Sequence, residues 1–189
     1  IIPGCLVDAI VVAEPEERNE AYTALTGSFE IPYKEWHTWN EKIHELSRKQ
    51  RKNNIPANII GKRAARELRV DDIVNIGIGI PETVSRYARK SGMLDMITLT
   101  VESGGIGGFP VSGEAFGAMI GAASVYDMAN QFDLYDNGGL DVCFMGALEV
   151  DRHGNINAHR GTGAFAGIGG FANITAKTPT VVFCMTFNA

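Results

Sequence analysis

The sequence predicts an α/β protein built on an open, largely parallel sheet with flanking helices. Three observations predict it. A strand, a helix and a second strand follow one another within about thirty residues, from Ile73 to Val101, which is a βαβ unit and makes its two strands parallel. Short apolar runs at 142–145 and 180–185, bounded by turn residues, read as further strands buried on both faces. Glycine, finally, makes up 22 of 189 residues, about 12% against a usual ~7%, and nineteen of the 22 lie from residue 77 onward, where strands hand over to helices.

The elements follow in order. Residues 6–12 make a plausible strand, stopped at Glu14-Pro15. Residues 14–37, broken by Pro15, Gly27 and Pro32, read as a linker. A helix over 36–52 places Trp39, Ile43 and Leu46 on one stripe and gathers Arg48, Lys49, Arg51 and Lys52 in its last turn, as the helix dipole favours. Pro56 opens a second helix near residue 57 with Ile59, Ile60, Ala64 and Leu68 as its apolar face. Strand 73–76 leads into Gly77-Ile78-Gly79-Ile80-Pro81, a tight turn whose proline suits a first helical position. Helix 82–90 closes on basic residues and Gly92, and strand 96–101 follows. Residues 114–123 read as a helix weakened by Gly117 and Gly121, and 125–134 as a better one. Strand 142–145, a hairpin from 147–151 and 155–158 around His153-Gly154, a glycine loop at 161–170, a short helix near 171–175 and a last strand at 180–185 complete the chain.

Ten of seventeen basic residues lie between Lys34 and Arg69, and the net charge is −5. No basic block is interleaved with aromatics, which argues against nucleic acid as the main partner. No apolar run approaches the ~18 residues that span a membrane. Asp8 interrupts the opening apolar run, so a signal peptide is not expected. Cys5, Cys143 and Cys184 form no pair with metal or disulfide spacing, consistent with a reducing cytoplasm. The chain opens and closes on strand-like residues, and so reads as a fragment cut at both ends.

The common catalytic spacings fail. A nucleophile elbow needs G-x-S-x-G, but Val101 and Pro110 stand two residues before Ser103 and Ser112. His44-Glu45 is followed by Arg48 where a metalloprotease needs histidine, and His37, His153 and His159 form no ligand set, so no metal site is expected. Walker A is absent. Gly161-x-Gly163-x-x-Ala166 and Gly167-x-Gly169-x-x-Ala172 fit a loose dinucleotide pattern, yet neither sits between a strand and a long helix.

What survives is Glu102, at the end of the strand that closes the βαβ unit, before four glycines in the five positions 104–108. Taken alone, a loop glutamate is usually solvated. A carboxylate leaving a buried strand of an open α/β sheet nevertheless stands where such sheets bind ligands. With an ordinary pKa of about 4.3 it is ionised at neutral pH and can attack an activated carbonyl without a general base. The anhydride formed requires an enclosed site, and the tetrahedral oxyanion requires fixed donors, each worth roughly 3–4 kcal/mol. Backbone amides of residues 167–170 can supply them.

Several motifs together resemble the family I CoA-transferases, in particular the acetate/propionate branch. N-I-G-I-G-I-P at 75–81, T-V-E-S-G at 100–104, F-D-L-Y-D-N-G-G-L-D at 132–141, G-A-L-E-V-D-x-x-G-N-I-N at 146–157 and G-I-G-G-F-x-N-I at 167–174 occur in the family's order. The resemblance implies a two-half enzyme: residues 1–13 as the last strand of a missing N-terminal domain, 14–56 as linker and connecting helix, and 57–189 as a C-terminal CoA-transferase domain truncated at its end. It implies that Glu102 attacks an acyl-CoA, giving an acyl-glutamyl anhydride and then a glutamyl-CoA thioester. Gly77, Gly79 and Pro81 would lie along CoA, and Gly167, Gly169 and Gly170 would form the oxyanion site. CoA is then substrate and covalent intermediate, with no permanently bound cofactor. The partners are an acyl-CoA and a short-chain carboxylate, with neither nucleic acid nor membrane, in a homo-oligomer. The 104–108 cluster becomes clearance for the thioester. Acyl-CoA hydrolysis on the same scaffold, or an inactive CoA-binding fragment, are the alternatives.

Overall fold

A computed structural model describes residues 55–111, 117–161, 164–165 and 167–187. The first strand, linker and basic helix expected over 6–52 lie outside the described residues, as does the stretch 112–116. The chain enters through helix α1 (Ile55–Ala64), extended by a 3₁₀ turn at Ala65–Glu67. Strand β1 (Ile73–Ile76), helix α2 (Thr83–Lys90) and strand β2 (Thr98–Thr100) form the expected unit, with Ile73, Val74 and Asn75 in parallel register with Thr98, Leu99 and Thr100. Gly92 ends α2 at φ 76°, the left-handed cap that its sequence announces. Among the described residues no helix is long and apolar enough to cross a membrane.

Beyond β2 the chain departs from expectation. Of the helix expected over 114–123, residues 114–116 lie outside the described residues and 117–123 are not helical; the described residues make four two-residue strands: β3 (Gly105–Ile106), β4 (Phe109–Pro110), β5 (Met119–Ile120) and β6 (Ser124–Val125). β3 pairs antiparallel with β2 and with β6, and β4 pairs with β5. Gly117 and Gly121 adopt φ 101° and 63°, left-handed conformations that break a right-handed helix. Helix α3 (Met128–Asp136) then starts three residues later than its apolar pattern suggests, because Asp127 caps it by accepting a hydrogen bond from the Ala129 amide at 2.9 Å.

Strand β7 (Val142–Met145), the hairpin β8 (Glu149–Val150) and β9 (Ile156–Asn157), the pair β10 (Arg160–Gly161) and β11 (Ala164–Phe165), helix α4 (Phe171–Ala176) and strand β12 (Thr180–Phe183) close the chain. The main sheet runs β12-β7-β1-β2-β3-β6. Its first four strands are parallel, and β3 and β6 form an antiparallel extension.

The pleat sorts the core into two layers. On one face Val74, Ile76, Leu99, Val142 and Phe144 pack with Ala64 and Leu68 near α1 and with Val84 and Ala88 of α2. On the other Cys143 and Met145 pack with Tyr135, Leu140 and Ile174, joined by the partly buried Phe132 and Phe171. α1 presents Ala57, Gly61 and Ala64 to the core; Ile59, expected on that face, points outward and is 64% exposed. Small residues prevail because α1 presses on α2: a Cβ at Gly61 would lie 1.9 Å from Thr83 Oγ1.

Candidate active site

Alternation along the strands decides what faces what. Asn75 and Thr100 sit out of phase with Val74, Ile76 and Leu99, so they face α3 rather than α1 and α2. There the Asn75 Nδ2 donates to Tyr135 Oη (3.3 Å), Tyr135 Oη donates to Thr100 Oγ1 (3.0 Å), and Thr100 Oγ1 donates to the Val74 carbonyl (3.1 Å). Burial pushes the Tyr135 phenol up; hydrogen bonding to Thr100, then proximity to Gln131 and Asn75, opposes the shift, and the Glu102 charge adds to it. Gln131 stands beside this phenol, yet neither of its amide atoms reaches hydrogen-bond geometry with any group among the described residues.

Glu102 follows Thr100 by two residues, so the same alternation directs it toward the α3 side, at the carboxyl end of β2. It is half-buried, and that desolvation raises its carboxyl above the ordinary value. It has no ion pair or hydrogen bond among the described residues that would hold it down. Across from it lies the foot of α4. A Cβ at Gly170 would lie 2.8 Å from Glu102 Oε2 and 2.8 Å from Phe132 Cζ, so three groups meet at a point that only glycine leaves open. Gly167 and Gly169 sit at φ 76° and 53° with nothing within 4 Å of a Cβ position. The amides of Gly169 and Gly170 donate to no group among the described residues. Glu102 and Gly170, far apart in sequence, are therefore neighbours, at a loop that keeps two undonated amides.

The 75–81 turn lies at the same edge of the sheet. The Gly77 amide donates to the Phe144 carbonyl (2.7 Å), tying the turn to β7, and the Gly79 amide, at φ 86°, donates to Glu82 Oε1 (2.6 Å). Pro81 is buried two residues before α2 starts rather than at its first position; its carbonyl accepts from the Val84 amide at 2.8 Å. Ile78, Ile80, Pro81, Leu148 and Cys184 help line an open cavity of about 230 Å³. Glu102 and residues 167–170 are not among its walls; the cavity lies at the ends of β1, β7 and β12, one strand away from the carboxylate.

The glycines at 104–108 do not leave room for a ligand. A Cβ at Gly104, which sits at φ 110°, would fall 2.0 Å from the Tyr126 carbonyl oxygen, and one at Gly108 would fall 2.5 Å from that of Ile120. The returning chain from 119 to 126 occupies the space, so these glycines serve strand packing. Phe132 and Tyr135 are the site residues that sequence reasoning passed over. Both fall inside the 132–141 motif that resembles the family's, but that motif by itself points to no role, and no local feature marks contact with Glu102. Among the described residues no group of three or more His, Cys, Asp or Glu could hold a metal ion.

The fold is that of an α/β protein, and the half-buried carboxylate at the carboxyl end of a parallel strand stands where such sheets bind ligands. The sequence profile of the coenzyme A transferase family matches residues 57–183, and the chain belongs to that family. It is 38% identical over its whole length to the acetate CoA-transferase YdiF of Escherichia coli K12, covering 34% of that protein. It is 37% identical, again over its whole length, to the caffeate CoA-transferase of Acetobacterium woodii, covering 36% of it. Among solved structures, the acyl-CoA transferase YdiF of Escherichia coli O157:H7 superposes at a TM-score of 0.64 as apoenzyme, with 39% identity over 70% of this chain and 25% of that one. Its thioester complex with CoA superposes at 0.63, with 36% identity over 71% of this chain and 27% of that one. The chain thus spans about a third of the length of the curated relatives it matches.

Proposed function

We propose that the complete protein transfers CoA between a short-chain acyl-CoA and a carboxylate, of the acetate/propionate type, through covalent intermediates on Glu102. The observation that carries this reading is the meeting of the Glu102 carboxylate with Gly170, beside two amides that have no partner among the described residues. Glu102 attacks the thioester carbonyl, forming a C–O bond, and the carbonyl oxygen becomes an oxyanion that the Gly169 and Gly170 amides stabilise. The C–S bond breaks and CoA leaves as thiolate, which then attacks the Glu102 carbonyl of the anhydride and releases the first carboxylate. An incoming carboxylate reverses the two steps.

Partial desolvation supports the nucleophilic role, because a carboxylate stripped of water attacks more readily than a solvated one. The cavity against Ile78, Ile80 and Pro81 suits an extended apolar-and-amide chain such as the pantetheine arm of CoA, with Gly77 and Gly79 beside it. Residues 57–189 are the C-terminal domain in this reading, reached from an N-terminal domain ending at 1–13 through the connection at 14–56. The CoA thioester seen in YdiF supports the chemistry by relationship. Incubating the complete protein with acyl-CoA and no acceptor is expected to leave CoA on the peptide containing Glu102; mass spectrometry placing it on any other residue sinks the proposal. Product formed equally with and without added acetate points to hydrolysis instead.

A further inference from the structure

The carboxylate, Gly170 and the Phe132 ring share one point of closest approach, and the ring is not loosely placed there. Phe132 meets Tyr135 edge-on, with ring centroids 5.7 Å apart and planes at 74°. Tyr135 is completely buried, and its hydroxyl is fixed to Thr100, two residues before Glu102. The strand that carries the carboxylate and the helix that carries the ring are therefore locked to each other by one buried hydrogen bond. Phe132 belongs to no hydrogen-bonding or charged set, so what it adds beside Glu102 is apolar surface in van der Waals range of Gly170.

Resting on the reading of Glu102 as nucleophile, we propose that Phe132 is a specificity-determining residue that keeps water from the covalent intermediates and so selects transfer over hydrolysis. Two acyl centres need this protection. In the anhydride, a water oxygen bonds to the acyl carbon, the C–O bond to Glu102 breaks, both carboxylates leave ionised and two protons pass to solvent. In the glutamyl-CoA thioester, a water oxygen bonds to the Glu102 carbonyl carbon, the C–S bond breaks, CoA departs as the thiol and one proton passes to solvent. A flat ring against Gly170 covers one flank of that carbon and has nothing with which to hold or activate a water. The edge-on contact with Tyr135 gives the wall a fixed orientation, since moving the ring disturbs the phenol that pins β2.

The test compares wild type, Phe132→Ala and Phe132→Met in the complete enzyme, the last keeping apolar volume on an unbranched chain. Each is loaded with acyl-CoA, the Glu102 adduct is followed by peptide mass spectrometry, and free acid is measured with and without acetate. The hydrolysis-to-transfer ratio is expected to rise about tenfold in Phe132→Ala and less in Phe132→Met, with the adduct still on Glu102. A ratio unchanged in folded Phe132→Ala, or raised as much in Phe132→Met as in Phe132→Ala, overturns the proposal while leaving the nucleophile intact. A wild-type enzyme that forms no adduct on Glu102 removes the nucleophile reading and this inference with it.

Discussion

Two glycine-rich stretches flank the site, and they do opposite work. At 104–108 the missing side chains are replaced by backbone: the Tyr126 and Ile120 carbonyl oxygens stand where Cβ atoms would be. At 167–170 the same positions are open, apart from Gly170, where the Glu102 carboxylate and Phe132 enter. One stretch is glycine because the chain packs against itself; the other, under the function proposed above, because the Glu102 carboxylate needs access to amides. Composition is identical in kind, and only the neighbours separate the two.

The largest effect that would sharpen this contrast lies between them. Glu102→Gln is expected to lower turnover by roughly 10⁴-fold or more while leaving the thermal midpoint in place or higher, as steady-state kinetics and calorimetry will show. Next, Gly104→Ala is expected to cost about 3 kcal/mol or more of stability, because its Cβ meets unyielding backbone at a left-handed φ; a denaturant midpoint close to wild type would break the packing account. Gly170→Ala should do the reverse. Its φ is an ordinary −75°, so the backbone is not strained, but the methyl presses on both the carboxylate and the Phe132 ring and should slow adduct formation about 100-fold.

The pH dependence follows from the direction of the Glu102 shift. A carboxyl raised above 4.5 binds its proton more tightly folded than unfolded, so its penalty is absent below the unfolded value. The penalty grows as pH climbs toward the folded value and is constant beyond it. Wild type should therefore lose stability relative to Glu102→Gln over the interval above 4.5, in melts recorded from about pH 4 to 8. The acid limb of kcat/KM should also lie above 4.5, since the ionised form attacks. The smallest effect is expected from Tyr135→Phe, which leaves Asn75 Nδ2 without its acceptor and Thr100 Oγ1 without its donor and should cost about 1–3 kcal/mol in unfolding experiments.

Much of the scaffold was legible because its signals are local. β1, β2, β7 and β12 are short apolar runs, α2 ends on a glycine cap, and α4 follows its glycine loop as expected. The residues from 105 to 125 were not legible. Strands of two residues have no alternation to detect, and β3 takes its outer partner, β6, from residues eighteen and twenty positions away. The nucleophile candidate and the second loop stood out through motif order, whereas Phe132 and Tyr135, though inside the 132–141 motif, carried no chemistry that pointed to a role. Their proximity to Glu102 arises from the phase of the pleat and the docking of α3, which no short window contains.

The antiparallel extension has a dynamic consequence. Without β3 and β6, β2 would be an edge strand, and its end would fray into solvent. Instead the Val101 amide is bonded to the Gly105 carbonyl at 3.0 Å and the Gly107 amide to that of Leu99 at 2.8 Å, while β1 holds the other side. Hydrogen exchange at Val101 should consequently be slow, belonging to global rather than local opening. The carboxylate rides on a segment clamped from both sides, and its positional spread is that of a sheet interior even though it faces an open edge.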